Sequence, residues 1–352
     1  MHMADALISP VVGGTLWAAT AGTIAWCSRK VRHELDERKV PLMGVLGAFV
    51  FAAQMINFAI PGTGSSGHLG GGLLLAVLLG PYAAFIVISS VLFAQALFFA
   101  DGGLLALGCN IFNLGFFPAF VAYPLIYRAI APAGSSQGRI TAASVAAAVA
   151  GLQFGAFAVV LETVFSGVAA LPFSSFILLM QPIHLAIGIV EGFATAAVIG
   201  FVTKAHPDIV DTPVAPLGGA SGAGFRRLIL SLLTVAVFAG GCLSWFASGK
   251  PDGLEWAIAG VTGTEELLAP KGGIHGKLAE IQEKIALFPD YSFGRSDAQS
   301  PAPHGETAAT KTAIPPAGDD RIGSSVAGIA GGALTLVIAL GIGTVLRRRQ
   351  SP

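Results

Sequence analysis

The chain reads as an all-α polytopic membrane protein, and three observations predict it. Hydrophobic residues make up 54% of its 352 residues and charged ones only 11%, against about a quarter charged in a globular chain. Mean hydropathy is +0.74. The apolar residues form continuous runs between short charged loops, a pattern that suits membrane helices and not the alternation of a lipid-facing barrel.

Candidate spans fall at 10–27, 41–60, 69–80, 81–100, 104–127, 140–165, 176–203, 228–246 and 326–346. The third is short: about twelve residues reach only ~18 Å of a ~30 Å hydrocarbon core. It can be tilted, re-entrant, or the first half of a broken helix that continues past Pro81. Charge argues that it crosses. Arg29, Lys30, Arg32, Arg38 and Lys39, then Arg128 and Arg139, then Lys204, Arg226 and Arg227, and finally Arg347, Arg348 and Arg349 then share one side, as the positive-inside rule asks. The expectation is nine crossings of the cell membrane, seven before residue 205 and two after. Met1 lies outside and the C-terminal arginines inside.

Composition divides the chain. Residues 1–204 hold the seven-span domain, and 205–227, with Pro207, Pro213 and Pro216 among several glycines, is a cytoplasmic linker. Residues 228–352 form a two-span module with an external insert at 248–325, whose part from Ala298 to Ala317 is too rich in Ala, Pro and Thr to predict a fold. Net charge is zero and gives no reason to expect nucleic acid. Cys27, Cys109 and Cys242 have no metal-knuckle or redox spacing. The start is acidic at Asp5 and lacks a basic leader, so no cleaved signal peptide is expected. His2 is bulky enough that Met1 is expected to be retained.

That start carries chemistry. The amine of Met1, the backbone nitrogen of His2 and the His2 imidazole can close on one cation as linked chelate rings. Such flat, nitrogen-rich coordination suits Ni²⁺ or Cu²⁺ and can hold Co²⁺. A fourth nitrogen is needed, and His68 in Pro61-Gly62-Thr63-Gly64-Ser65-Ser66-Gly67-His68-Leu69-Gly70-Gly71-Gly72 is the candidate. The nine-span topology puts both on the outer face. Met-His alone is a weak signal; the pair on one face is a better one.

With Met1-His2-Met3-Ala4-Asp5-Ala6-Leu7-Ile8-Ser9-Pro10 followed by Gly67-His68-Leu69-Gly70-Gly71, residues 1–204 resemble the CbiM/NikM family. These are substrate-capture subunits of energy-coupling-factor importers for cobalt and nickel. The resemblance implies a six-helix substrate-specific component with an added N-terminal helix, and metal ligands at Met1, His2 and His68. It also implies separate partners: a transmembrane coupling protein of the CbiQ/NikQ type and an ATPase pair of the CbiO/NikO type. Lys250-Pro251-Asp252-Gly253-Leu254-Glu255-Trp256 is similar to the PDGLE signature of the two-span CbiN/NikN subunits, so the whole resembles a NikM–NikN fusion. That segment reads either as a turn capping a short helix, with Trp256 at the membrane interface, or as a direct contact to the metal site.

The implied function is metal capture for import, with Ni²⁺ preferred and Co²⁺ as the alternative. The ion is cargo, and no cofactor is expected. The chain has no G-x-x-x-x-G-K-[ST] phosphate loop of its own. An intramembrane metalloenzyme is disfavoured by the absence of H-E-x-x-H and of a second histidine at helical spacing from His184. A metal sensor lacks any signalling domain.

Other polar residues within or near spans need partners. Gln54 and Asn57 either orient the His68 loop or bond between helices. Asp5 either anchors the N-terminal segment through a backbone amide or is solvated. Asn110 and Asn113 read as packing residues, His184 and Glu191 as a structural or gating hydrogen-bond network, and Glu162 is ambiguous. His33 and His206 on the inside, and His275 and His304 on the outside, read as solvated surface histidines.

Overall fold

The structure, a computed structural model, describes residues 2–32, 35, 38–205, 209, 222–292 and 318–348. It is built from helices joined by short loops, with one small ribbon. Helices α1 (Pro10–Arg32), α2 (Lys39–Gln54), α3 (Gly72–Leu79) and α4 (Pro81–Phe99) come first. They are followed by α5 (Leu107–Ile130), α6 (Gln137–Ser166) and α7 (Phe173–Ala205). The second part supplies α8 (Gly222–Gly241), α9 (Gly253–Thr262), α10 (Gly273–Ile285) and α11 (Gly318–Arg348).

Among the described residues, six helices are long and apolar enough to cross a membrane: α4, α5, α6, α7, α8 and the Arg321–Arg348 part of α11. Helix α2 is apolar but only 16 residues long. It stops at Gln54, short of the expected 60, because the chain turns into a two-strand antiparallel ribbon of β1 (Phe58–Ala59) and β2 (Ser66–Gly67). The third expected span is the first half of a broken helix. All eight residues of α3 are buried. Gly80, at φ +81°, turns the chain sharply into Pro81 at the start of α4, where a missing amide hydrogen costs nothing. Pro118 and Pro124 lie inside α5, whose stretch 112–127 is wound in wider i→i+5 turns. Such turns accommodate residues that cannot keep the α ladder.

Small residues bring helices together. A Cβ at Gly192 would meet the Val145 Cα at 2.4 Å and one at Gly188 the Val149 Cα at 2.8 Å, so α7 lies directly on the α6 backbone. Gly240 of α8 and Gly328 of α11 touch backbone to backbone, and Gly331 of α11 receives Phe51 of α2. The second part is thereby keyed into the first. Its insert crosses the C-terminal end of α4, where Gln282 donates to the Ala96 and Gly102 carbonyls at 2.8 Å each.

Candidate functional site

The N-terminal segment is held by side chains and not by a ladder of its own. Met3, fully buried, donates its amide to Asn110 Oδ1 at 2.8 Å, and its carbonyl accepts from Asn110 Nδ2 and from the Gly103 amide. Asp5 Oδ1 accepts the Ala106 amide at 3.0 Å, so Asp5 anchors the segment through the backbone. Burial raises the Asp5 carboxyl pKa, and backbone hydrogen bonds from Ala106 and its neighbours partly offset that. Met1 lies outside the described residues.

This anchoring lays His2 on His68. Their rings stack with centroids 5.0 Å apart and planes 8° from parallel. His68 Nδ1 is 3.1 Å from the Leu69 carbonyl; a carbonyl only accepts, so Nδ1 carries the hydrogen and Nε2 the lone pair. Burial, with the His2 ring beside it, pushes the His68 pKa down to about 3. The ring is neutral, the form that ligates metals.

His2 is turned elsewhere. Its Nδ1 lies 3.0 Å from Asp101 Oδ1, while its Nε2 is buried with no hydrogen-bond partner. A six-membered chelate through the His2 backbone nitrogen would use Nδ1, the atom that here faces Asp101, so such a chelate would have to exchange Asp101 for the ion. Parallel stacked rings also cannot aim two in-plane lone pairs at one point. The described geometry gathers the imidazoles without closing the coordination plane.

Asp101 is the main residue that sequence reasoning missed. It follows Ala100, a non-glycine residue in the left-handed region at φ 54°, a conformation costing roughly 1–2 kcal/mol. That turn ends α4 and points Asp101 back at His2. Tyr291 of the insert donates to Asp101 Oδ2 at 2.5 Å. Burial alone would raise the Asp101 carboxyl; His2 beside it and the bonds from His2 and Tyr291 outweigh burial and hold it below the usual carboxylate range. The available signal was a carboxylate at the end of the fourth span, which the expected topology puts on the same face as His2 and His68.

The His68 loop is held from three sides. From α2, Gln54 Nε2 donates to the Gly70 carbonyl at 2.8 Å, so Gln54 serves the loop. Asn57 offers its backbone carbonyl to the Ser248 amide, and its side-chain Oδ1 is buried without a partner. From α7, Glu191 accepts the amides of Gly70 and Gly71. His184 is bonded to the Met180 carbonyl at 2.7 Å, and its Nε2, unpartnered, lies beside a cavity of about 10 Å³ shared with His68 and Asp252. The expected His184–Glu191 network is therefore two separate attachments. Asn113 donates to Glu162 at 2.8 Å within the helices, which gives Glu162 a structural partner.

The third side is the segment 250–256. The Ser66 amide donates to the Pro251 carbonyl and the Ser66 hydroxyl to that of Lys250, both at 2.8 Å. Trp256 Nε1 donates to the Thr63 carbonyl at 2.9 Å. Asp252 caps α9 in a complete capping box with Glu255. Of the two sequence readings, the helix-capping turn is what the structure shows, and the same segment also abuts the His68 loop. Trp256 serves that loop and not the expected membrane interface. His275 is corrected too: it is 6% exposed and its Nε2 donates to the Ile8 carbonyl at 2.9 Å, because docking of the insert covers it. His33, His206 and His304 lie outside the described residues. Between the insert and the loops is a cavity of about 640 Å³, lined among others by His2, His68, Asp101, Asp252 and Glu255.

Comparison with known proteins follows the same division. The profile of the cobalt uptake substrate-specific transmembrane region matches residues 2–209, and that of the PDGLE domain matches 226–348. The fused nickel transport protein NikMN of Rhodobacter capsulatus is 32% identical over 315 residues, covering 83% of this chain and 88% of that protein. The cobalt transport protein CbiM of Geobacter sulfurreducens is 29% identical, covering 67% and 68% respectively. A crystal structure of a truncated transition metal transporter aligns with TM-score 0.52 at 32% identity, covering 58% of this chain and all of that one.

Proposed function

The chain belongs to the family of cobalt uptake substrate-specific transmembrane regions, and from that premise we propose that it captures Ni²⁺ at the outer face of the cell membrane for import. It is a multi-pass membrane protein of nickel and cobalt transport, not an enzyme. The observation that carries the finer reading is the stacking of His2 on His68, a neutral imidazole with its lone pair on Nε2. With the Met1 amine and the His2 backbone nitrogen they make the four-nitrogen set. A hydrated ion entering the outer cavity loses its water there and displaces Asp101 from His2. A full-length relative named for nickel supports nickel over cobalt.

ATP hydrolysis is assigned to partner subunits, a coupling protein and an ATPase pair, with the N-terminus outside and Arg347 inside. The test is metal binding by the purified full chain and uptake by cells. His2→Ala, His68→Ala and one Gly inserted before Met1 should each abolish high-affinity binding while the protein still reaches the membrane. His304→Ala should bind normally. His275→Ala is no control, since His275 holds Ile8. Uptake should need the partner subunits, and Co²⁺ winning in competition with Ni²⁺ would select cobalt.

A further inference from the structure

Between His68 and α3 the chain runs as non-helical backbone, residues Leu69–Gly71, among membrane helices. Backbone amides in such a place need partners, because the bilayer offers no water. Two come from one residue 120 positions away. Glu191 Oε2 accepts the Gly70 amide at 2.7 Å and Oε1 the Gly71 amide at 3.0 Å. Glu191 is 2% exposed.

The fit is close on every side. A Cβ at Gly70 would meet Glu191 Oε2 at 3.1 Å, and Gly71 adopts φ +77°, open to glycine at no cost. The carboxylate sits at the positive end of α3, where the helix dipole favours it. Gly188 and Gly192 flank it on α7 and lock that stretch onto α6. Gln54 grips the Gly70 carbonyl from the opposite helix. The attachment begins two residues after a proposed metal ligand.

We propose that Glu191 is the positioning residue of His68: it fixes the loop through Gly70 and Gly71 so that the imidazole reaches the coordination plane, and letting go of those amides withdraws His68 from the ion. The inference rests on the proposed four-nitrogen site. Glu191 touches no metal; it acts through the backbone. The N-terminal segment that carries His2 is held separately, by Asn110 on Met3 and by Asp5 on Ala106.

The experiment is a double-mutant cycle on the purified full chain with Ni²⁺ as the probe. Glu191→Gln keeps the shape but turns an NH₂ toward one of the two amides, donor against donor. Alone it should weaken binding about 10–100-fold, the usual effect of losing a ligand's supporting partner. In a His68→Ala background it should add almost nothing. At saturating Ni²⁺ its ligand-field absorption should move toward that of His68→Ala, and the ion should dissociate faster than from the wild type. Glu191→Asp, which keeps the carboxylate, should recover part of the loss. Should Glu191→Gln fail to fold, Gln54→Leu serves instead, with a smaller loss of about 3–10-fold that again vanishes in the His68→Ala background.

Equal losses in both backgrounds, or a wild-type spectrum and affinity for Glu191→Gln while His68→Ala is crippled, would overturn this inference alone. Unchanged binding by His68→Ala itself would instead overturn the site on which it rests.

Discussion

The Tyr291 hydroxyl donates to Asp101, and Asp101 in turn faces His2 Nδ1. A side chain of the insert is thus one carboxylate away from a proposed metal ligand, although Tyr291 and Asp101 are 190 positions apart. Tyr291→Phe removes only the hydroxyl and leaves its ring stacked on Phe99. Nickel affinity should fall by about 3–10-fold, less than for loss of a partner bonded directly to a ligand. In an Asp101→Asn background the same change should have little further effect. Isothermal titration of the four proteins measures both.

Docking of the PDGLE segment should depend on the bare backbone at Gly253. A Cβ there would lie 3.1 Å from Ile183, 3.2 Å from His184 and 3.3 Å from Ile187. Gly253→Leu cannot be accommodated without moving α9, at a cost of about 1–3 kcal/mol for overpacking. The Ser66 amide, which donates to the Pro251 carbonyl, should then exchange its hydrogen faster. Unchanged exchange at Ser66 would show that α9 docks without this contact.

The same docking should loosen as pH rises. Burial, and then the Asp252 carboxylate beside it, push the Glu255 carboxyl up from 4.5 to about 7. The Asp252 carboxylate belongs to α9 itself, so what docking adds is the burial: docked α9 holds the Glu255 proton more tightly than undocked α9 does, and docking weakens as pH climbs toward 7. Hydrogen exchange at Ser66 should accelerate from pH 4.5 to 7 after correction for the intrinsic rate. Glu255→Gln, which preserves the capping box, should flatten that dependence.

Topology can be read by labelling. Ser65 is fully buried and would report nothing, whereas Pro61 is exposed and Leu268 is 91% exposed. Single cysteines at these two positions, in a chain lacking Cys27, Cys109 and Cys242, should react with an impermeant reagent in intact cells. A cysteine at Arg348 should react only after the membrane is opened. The reverse pattern would invert the orientation.

Much of this was legible in the sequence because the signals were local. Continuous apolar runs gave the helices, Gly80-Pro81 marked the break after α3, and His2 and His68 announced themselves by type. What could not be read was pairing across distance. Asp101 looked like an ordinary loop charge, since its meaning depends on the left-handed turn at Ala100 and on where α4 ends. Glu191 was visible as a costly group in a span, but its partners are backbone amides, which leave no mark in a sequence. His275 looked solvated because nothing in its neighbourhood discloses that the insert folds back over Ile8. The 112–127 stretch showed its prolines but not the wide turns they take.

The polar contacts between residues 250–256 and the His68 loop include the Ser66 amide on Pro251, the Ser66 hydroxyl shared between Lys250 and Pro251, the Ser65 hydroxyl on Pro251 and Trp256 on Thr63. As free partners such groups would scarcely hold together. On one chain their meeting is intramolecular, so neither side has to find the other by diffusion. A contact too weak to persist between separate molecules can then be made and broken many times without its partner ever diffusing away. For the proposed site, covalent continuity would keep this contact at hand each time an ion enters or leaves.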